Sequence, residues 1–302
     1  MSKKNKNLHK AKKAKNDEFY TQLTDIEKEL VYYTEHFKDK IIFCNCDDPE
    51  ESNFFRYFAL NFEKLRLKKL ISTHYEEDKP TYKLEITKGL DVNGDGKIDL
   101  RDVIKTPLKQ NGDFRSPECI DILKKADIIV TNPPFSLFRE YITQLIEYDK
   151  KFIIIGNENN AVNDKDIFEK VYLGKVWLGN TRPKKFLRPD GEFQTFGNTC
   201  WFTNFNHKKR HEELICYKQY KENKELYSFF DNTDIININS YKQIPIDYQG
   251  VMGVPITFLA RLNPDQFEII GATNNNHKHG IHFTSYLNGK KTYARLLIKR
   301  KE

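Results

Sequence analysis

The sequence predicts an α/β fold built on an open, mainly parallel sheet. Three observations carry that reading. Short apolar runs rich in Ile and Val recur along the first half of the chain, as expected of strands covered on both faces. Segments with apolar residues at helical spacing separate them. The third is Asn132-Pro133-Pro134-Phe135, which stands between such a run and such a segment. Strands alternating with helices make parallel sheets.

The elements follow in order. A helical stretch places Ile26, Leu30, Tyr33 and Phe37 on one face. Lys40 to Cys44 reads as a strand, and the turn Asn45-Cys46-Asp47-Asp48-Pro49 leads to a helix from Ser52 through Phe54, Phe55, Phe58, Ala59 and Phe62. Leu70 to His74 is a second strand, and Lys83 to Thr87 a third that suits half of a hairpin. Ser116 to Lys124 is helical and enters the strand Ile128 to Val130, while Lys151 to Gly156 is a further apolar strand. Beyond about Arg182 the character changes to turns, aromatics and basic groups, with one more strand at Thr199 to Thr203. Three parts are therefore expected: a basic arm over 1–16, a sheet domain over 17–180, and late core strands plus a substrate-facing region over 181–302.

At 302 residues the chain can bury a sizeable core, and 22 Phe and 16 Tyr supply aromatic mass although hydrophobic residues are only 38%. No apolar run reaches the roughly 18 residues of a membrane span, so a cytoplasmic protein is expected. Five cysteines without paired CxxC spacing read as reduced thiols. The net charge of +7 sits at one end, because residues 1–16 hold seven lysines and no acid. Such a block is usually disordered alone and lies on a polyanion, which makes Lys10, Lys12, Lys13 and Lys15 candidates for phosphate contact.

Asp91, Asn93, Asp95, Gly96, Asp99 and Asp102 fit positions 1, 3, 5, 6, 9 and 12 of a calcium loop. The flanks oppose that reading. Residues 81–87 alternate like a strand, and Pro107 interrupts a second helix. A hairpin or plain loop is the expectation, calcium the alternative, and no metal is assigned elsewhere.

The Asn-Pro-Pro-Phe turn suits one chemical task. Asn132 precedes a proline and is pushed toward extended backbone; the two prolines fix φ and leave a rim of carbonyl acceptors. An aromatic amino nitrogen, such as that of adenine, is a poor nucleophile because its lone pair is delocalised. If the Asn132 side-chain oxygen and the Pro133 carbonyl each accept an amino hydrogen, the nitrogen is drawn toward tetrahedral geometry and its lone pair can face a sulfonium methyl. Alignment and fixed dipoles do this work, and Phe135 can stack on a base taken out of its duplex.

With that turn placed, the chain resembles the EcoRI-type adenine-specific DNA methyltransferases from about residue 9 to the end. Asp17-Glu18-Phe19-Tyr20-Thr21-Gln22 resembles the segment that touches the methionine end of S-adenosylmethionine. Ile41 to Pro49 with Ser52-Asn53-Phe54-Phe55 looks like the first cofactor loop, Gly112-Asp113-Phe114-Arg115 like the site of an acid near the cofactor adenine, and Phe196 to Phe202 like the late strand beside the target base. Met252 to Ile256 and Phe267 to Gly271 resemble the family's C-terminal half. The resemblance implies a Rossmann-like methyltransferase sheet with a C-terminal target-recognition region. It implies S-adenosyl-L-methionine as cofactor, Asn132, Pro133, Pro134 and Phe135 as catalytic residues, and Phe19, Tyr20, Thr21, Asn45, Cys46, Asp47, Asp113 and Asn132 as cofactor-binding ones.

It further implies double-stranded DNA as partner, action as a monomer, and a place for a separately encoded restriction endonuclease. Arg182, Lys184 and Lys185 are candidate DNA contacts, and groups near 182–188 and 274–280 are candidate base readers. One departure stands out: the first cofactor loop usually carries glycines, and residues 44–54 contain none. Glu76 or Glu77 is the candidate acid after the second strand. Asn-Pro-Pro-aromatic turns also serve enzymes acting on RNA bases or a protein glutamine. A nucleic-acid-binding relative without cofactor is a further alternative.

Overall fold

The apolar runs lie side by side and parallel. In the computed structural model, which describes residues 20–188 and 190–301, the first strands are β1 (Tyr20–Thr21), β2 (Ile41–Cys44), β3 (Lys69–Thr73), β4 (Tyr82–Thr87), β5 (Ile104–Pro107), β6 (Ile128–Thr131) and β7 (Lys151–Asn157). Phe19 and the arm lysines Lys10, Lys12, Lys13 and Lys15 lie outside the described residues. The large mixed sheet runs β5-β4-β3-β2-β6-β7, followed by Thr199–Thr203. β2 is parallel to both β3 and β6, and β6 to β7, whereas β4, near one edge, runs antiparallel to its neighbours β3 and β5. This is the α/β methyltransferase-type sheet that the sequence predicts.

The chain divides into two compact units: residues up to Gly156 with Gly179–Phe205, and Asn157–Leu178 with Asn206 onward. In the first unit, Ile42, Phe43, Ile129, Val130, Ile153, Ile154 and Ile155 are all fully buried, as parallel strands with both faces covered require. Aromatic helices supply the cover. Asn53–Leu60 buries Phe54, Phe55, Tyr57 and Phe58; Phe58 meets Phe37 edge-on at 5.2 Å, and Phe54 meets Trp201 at 5.9 Å. Each such phenyl ring, wholly withdrawn from water, contributes roughly 2–3 kcal/mol.

The sequence expectations are met with small shifts. The single helical face over residues 26–37 is an α-helix, Leu23–Leu30, continued by 3₁₀ turns at Val31–His36. Ser52 and Ser116 cap their helices by accepting Phe54 N–H at 3.2 Å and Cys119 N–H at 3.3 Å. Residues 88–103 are the loop of the β4–β5 hairpin, so the hairpin reading of that segment holds. Its carboxylates accept its own amides: Asp91 binds the N–H of Gly94 and Gly96, and Asp102 binds those of Val92 and Asp99. Arg101 lies 2.6 Å from both Asp95 and Asp99. All five cysteines are free thiols.

The second unit carries a helix the sequence reading passed over, Lys165–Tyr172, with Asp164 as N-cap and Ile167, Phe168 and Val171 buried. Its sheet runs Ser228–Phe229, Ile236–Asn237, Met252–Pro255, Arg295–Arg300, Phe267–Ala272 and is mostly antiparallel. Gly271 bonds beside Ile281 so tightly that a Cβ there would lie 1.9 Å from the Ile281 carbonyl oxygen. No helix among the described residues is long and apolar enough to cross a membrane.

Candidate active site

From β2 the sheet grows outward through β3, β4 and β5; the chain then returns to set β6 on the other side of β2. Strand order reverses between β2 and β6, the place where open α/β sheets form a ligand crevice beyond the carboxyl ends of their strands. Asn45 follows β2 there, and Asn132 follows β6.

Asn132 is 6% exposed, Pro133 is buried, and Pro134 is half-buried with extended ψ. Phe135–Leu137 make one 3₁₀ turn, closed by Leu137 N–H on the Pro134 carbonyl at 2.9 Å, before the helix Phe138–Glu147. Phe135 is half-buried and meets Phe196 edge-to-face at 5.7 Å. Phe196 in turn closes a hairpin, Lys185–Leu187 with Phe193–Thr195, through its N–H to the Lys184 carbonyl at 3.0 Å. The other edge of that hairpin is β1, with Tyr20 opposite Leu187 and Thr21 opposite Phe186. Residues distant in sequence (20–21, 135, 184–187 and 196) thus converge.

The cofactor-type loop turns without glycine by using its own side chains. Asp47 accepts the Ser52 hydroxyl at 3.1 Å, and Asp48 accepts Glu50 N–H at 3.0 Å. Asn53 donates to the Thr21 carbonyl at 2.7 Å, joining the segment before the sheet to the helix after the loop. Asn45 is buried and accepts the Tyr141 hydroxyl. Burial pushes the Cys46 thiol well up, the Asp47 charge adds to it, and the neighbouring Tyr141 and Thr131 hydroxyls oppose it. A thiol so placed stays neutral and is no nucleophile at pH 7. The Thr21 hydroxyl is buried with no hydrogen-bond partner among the described residues, an open polar group that a ligand can satisfy.

Asp113 stands at the β3 side. Gly112 has φ +75°, and a Cβ on it would lie 1.8 Å from the His74 carbonyl oxygen, so only glycine lets this loop close on the end of β3. Burial works to raise the Asp113 pKa, but the Arg115 guanidinium, at 2.9 and 2.7 Å, and the Arg115 N–H outweigh it and hold the carboxyl below its usual range. Glu77 is exposed, while half-buried Glu76 gives its N–H to the Asn111 carbonyl.

Arg182 is half-buried, whereas Lys184 and Lys185 are exposed; the Lys185 ammonium sits 3.9 Å over the Phe193 ring. In the second unit, Asn274 and Asn275 are spent on the scaffold: Asn274 bonds Ser285 and the Thr292 carbonyl, and Asn275 bonds the Val162 carbonyl. Of the 274–280 stretch, Asn276, Lys278, His279 and Gly280 face solvent.

Sequence reasoning singled out neither Tyr141 nor Glu29. Glu29 is fully buried and accepts Tyr33 OH at 2.9 Å, Asn180 N–H at 2.8 Å, and Thr181 N–H and hydroxyl at 2.6 and 2.7 Å. It fixes the segment that leads into Arg182 and the Lys184 hairpin. Its one local signal was an acid inside an otherwise apolar helix face.

A family described as "Adenine-specific methyltransferase EcoRI" matches residues 7–301. The chain is 46% identical to the Type II methyltransferase M.EcoRI of Escherichia coli, over 98% of this chain and 97% of that protein. It is 37% identical to the Type II methyltransferase M.MgeORF184P of Mycoplasma genitalium, over 98% and 99%. It is 36% identical to the Type II methyltransferase M.MpnI of Mycoplasma pneumoniae, over 98% of both. No solved structure matches the chain.

Proposed function

The chain belongs to the EcoRI family of adenine-specific methyltransferases, and from that premise we propose that it methylates the N6 amino group of a flipped adenine at a specific site in double-stranded DNA. One observation carries the reading. Asn132 sits at the carboxyl end of β6, at the sheet's reversal point, and across that point Asn45 is held by Tyr141 from the helix after the Asn-Pro-Pro-Phe turn. The two residues stand at one end of the sheet, which supports reading them as part of a base-holding corner and a cofactor loop.

The donor is S-adenosyl-L-methionine, which supplies an activated methyl group when bound. Tyr20, Thr21, Asn45, Cys46, Asp47 and Asp113 are the residues that would hold it; the open Thr21 hydroxyl and the ionised Asp113 carboxylate fit its polar groups. The chain's own work is alignment. The Asn132 side-chain oxygen and the Pro133 carbonyl accept the amino hydrogens, and Phe135, backed by Phe196, packs on the ring. The exposed Lys184 and Lys185 and the arm lysines Lys10, Lys12, Lys13 and Lys15 meet phosphates. The enzyme acts as a monomer in the cytoplasm, beside a separately encoded endonuclease.

Purified protein incubated with duplex DNA and donor should yield N6-methyladenine at one sequence context, read by mass spectrometry and by sequencing of methylated DNA. Asn132→Ala should lower turnover at least about 100-fold, the scale of losing one aligned dipole, while duplex binding persists. Methylcytosine as the product, or methyl transfer confined to RNA or protein, would overturn the adenine-in-DNA reading.

A further inference from the structure

The second unit carries a short hairpin whose outer face the fold does not use. Tyr286–Leu287 and Lys290–Lys291 pair antiparallel, with Tyr286 opposite Lys291 and Leu287 opposite Lys290. Asn288 (φ 51°) and Gly289 (φ 75°) make the two-residue turn, the left-handed geometry that matches strand twist. Both ends are tied down. The Asp231 carboxylate accepts Asn288 N–H at 2.9 Å and Gly289 N–H at 2.7 Å, and Asp231 N–H binds the Tyr286 carbonyl at 2.9 Å. At the base, the fully buried Ser285 hydroxyl lies 3.1 Å from the Thr273 hydroxyl and 2.6 Å from that of Thr292.

Side chains alternate along the ribbon. Leu287 packs against the cluster of Phe230, Ile235 and Leu297, and Thr292 bonds inward. Tyr286, Lys291 and Tyr293 therefore share the outer face. Tyr293 is 87% exposed and Tyr286 41%. Lys290 and Lys291 are exposed, and neither makes an ion pair among the described residues. The neighbouring acid, Asp231, is already occupied by the turn amides. An anchored ribbon has lost its backbone freedom in folding, so a partner can pack on its aromatic rings at little further ordering cost.

We propose that this outer face is a duplex DNA contact, with Lys291 on a phosphate and Tyr293 packed against a sugar or base edge. A two-stranded ribbon fits the major groove, and lysine flanking an aromatic suits a polyanion with apolar edges. The inference rests on DNA being the substrate, as proposed above.

The test titrates the full-length chain with a duplex oligonucleotide across a salt series, by fluorescence anisotropy. For Lys291→Ala, the slope of log affinity against log salt should shrink by roughly 0.9, for the one phosphate that its lysine no longer neutralises. Tyr293→Ala should weaken binding about tenfold at fixed salt with its slope retained, the scale of removing one aromatic contact from an interface, and Tyr293→Phe should restore it. The charge-matched control is Lys124→Ala, which removes an exposed lysine already paired with Asp121; its slope should match wild type. Equal slopes for the hairpin variant and wild type, or equal shrinkage in the control, would overturn the proposal. If wild type methylates duplex DNA while the hairpin variants bind as it does, this inference alone falls. If wild type neither methylates nor binds duplex DNA, the functional reading falls and takes the hairpin contact with it.

Discussion

Tyr141 lies outside the Asn-Pro-Pro-Phe turn, yet its hydroxyl holds the Asn45 side chain from 96 positions away. Removing that hydroxyl with Tyr141→Phe should lower kcat/KM for the methyl donor about fivefold, the scale of one net hydrogen bond of about 1 kcal/mol; steady-state kinetics at saturating DNA read this, and unchanged kinetics would deny Asn45 a binding role. Asp113 offers a pH test. Its folded-state pKa lies below the unfolded value of about 3.9, so its contribution to stability is whole above pH ~4 and fades as pH falls through the lower folded value. The stability lead of wild type over Asp113→Asn should therefore narrow on acidification, as followed by urea melts at several pH values; a constant lead would sink the argument. The Asn132 turn was legible because its chemistry is local: a strand, two prolines and a ring in sequence. The Tyr141–Asn45 and Glu29–Thr181 bonds were not, because a pair separated by 96 or 152 positions leaves no mark on either neighbourhood.

At the scale of elements, parallel strands announced themselves because burial on both faces demands unbroken β-branched runs. β2, β3, β6 and β7 fall within a residue or so of where those runs place them. The antiparallel sheet of the second unit was opaque. Its strands at 228–229 and 236–237 hold two residues each, too few for any period to emerge, and the bulge between Ile269 and Gly271 breaks the alternation of another. Turn positions make sharper tests than strands. Gly112→Ala must accept both a left-handed backbone and a Cβ on the His74 carbonyl, and should cost roughly 3 kcal/mol or more. Ser52→Ala loses only a cap and should cost about 1 kcal/mol. Chemical denaturation that ranked them in the reverse order would contradict the assigned roles.

For the whole molecule, charge is the most portable signal. The excess that sequence placed in the N-terminal arm predicts that deleting residues 1–15 reduces the salt dependence of DNA binding; an unaltered slope in filter-binding or anisotropy titrations would leave the arm as a solubility tail. The calcium-like loop is a lesson in context. Its spacing fits a metal loop, and the strands on either side set the same segment into a hairpin, whose turn draws on Asn, Gly and Asp for its own reasons. Glu29 acts at this scale too, since it joins the first helix to the segment before the Lys184 hairpin. Glu29→Ala would take this acceptor from the Asn180 amide, which is buried, and from the Thr181 amide, which is half-buried, a loss of roughly 3 kcal/mol, and a melting temperature unaffected by it would refute that role.

The discontinuity of the two units has a bearing on how the protein is made. β7 is synthesised well before Thr199–Thr203, the strand that covers its flank. On the ribosome, its open side must wait through the emergence of an intervening stretch whose first part, residues 157–178, belongs to the other unit. A bare, apolar sheet edge of that kind invites pairing with another nascent chain. Yield in a heterologous host should therefore respond to translation speed and to chaperone supply across residues 157–203 more than to changes elsewhere. For the same reason, no contiguous fragment that stops before the late strand closes the sheet.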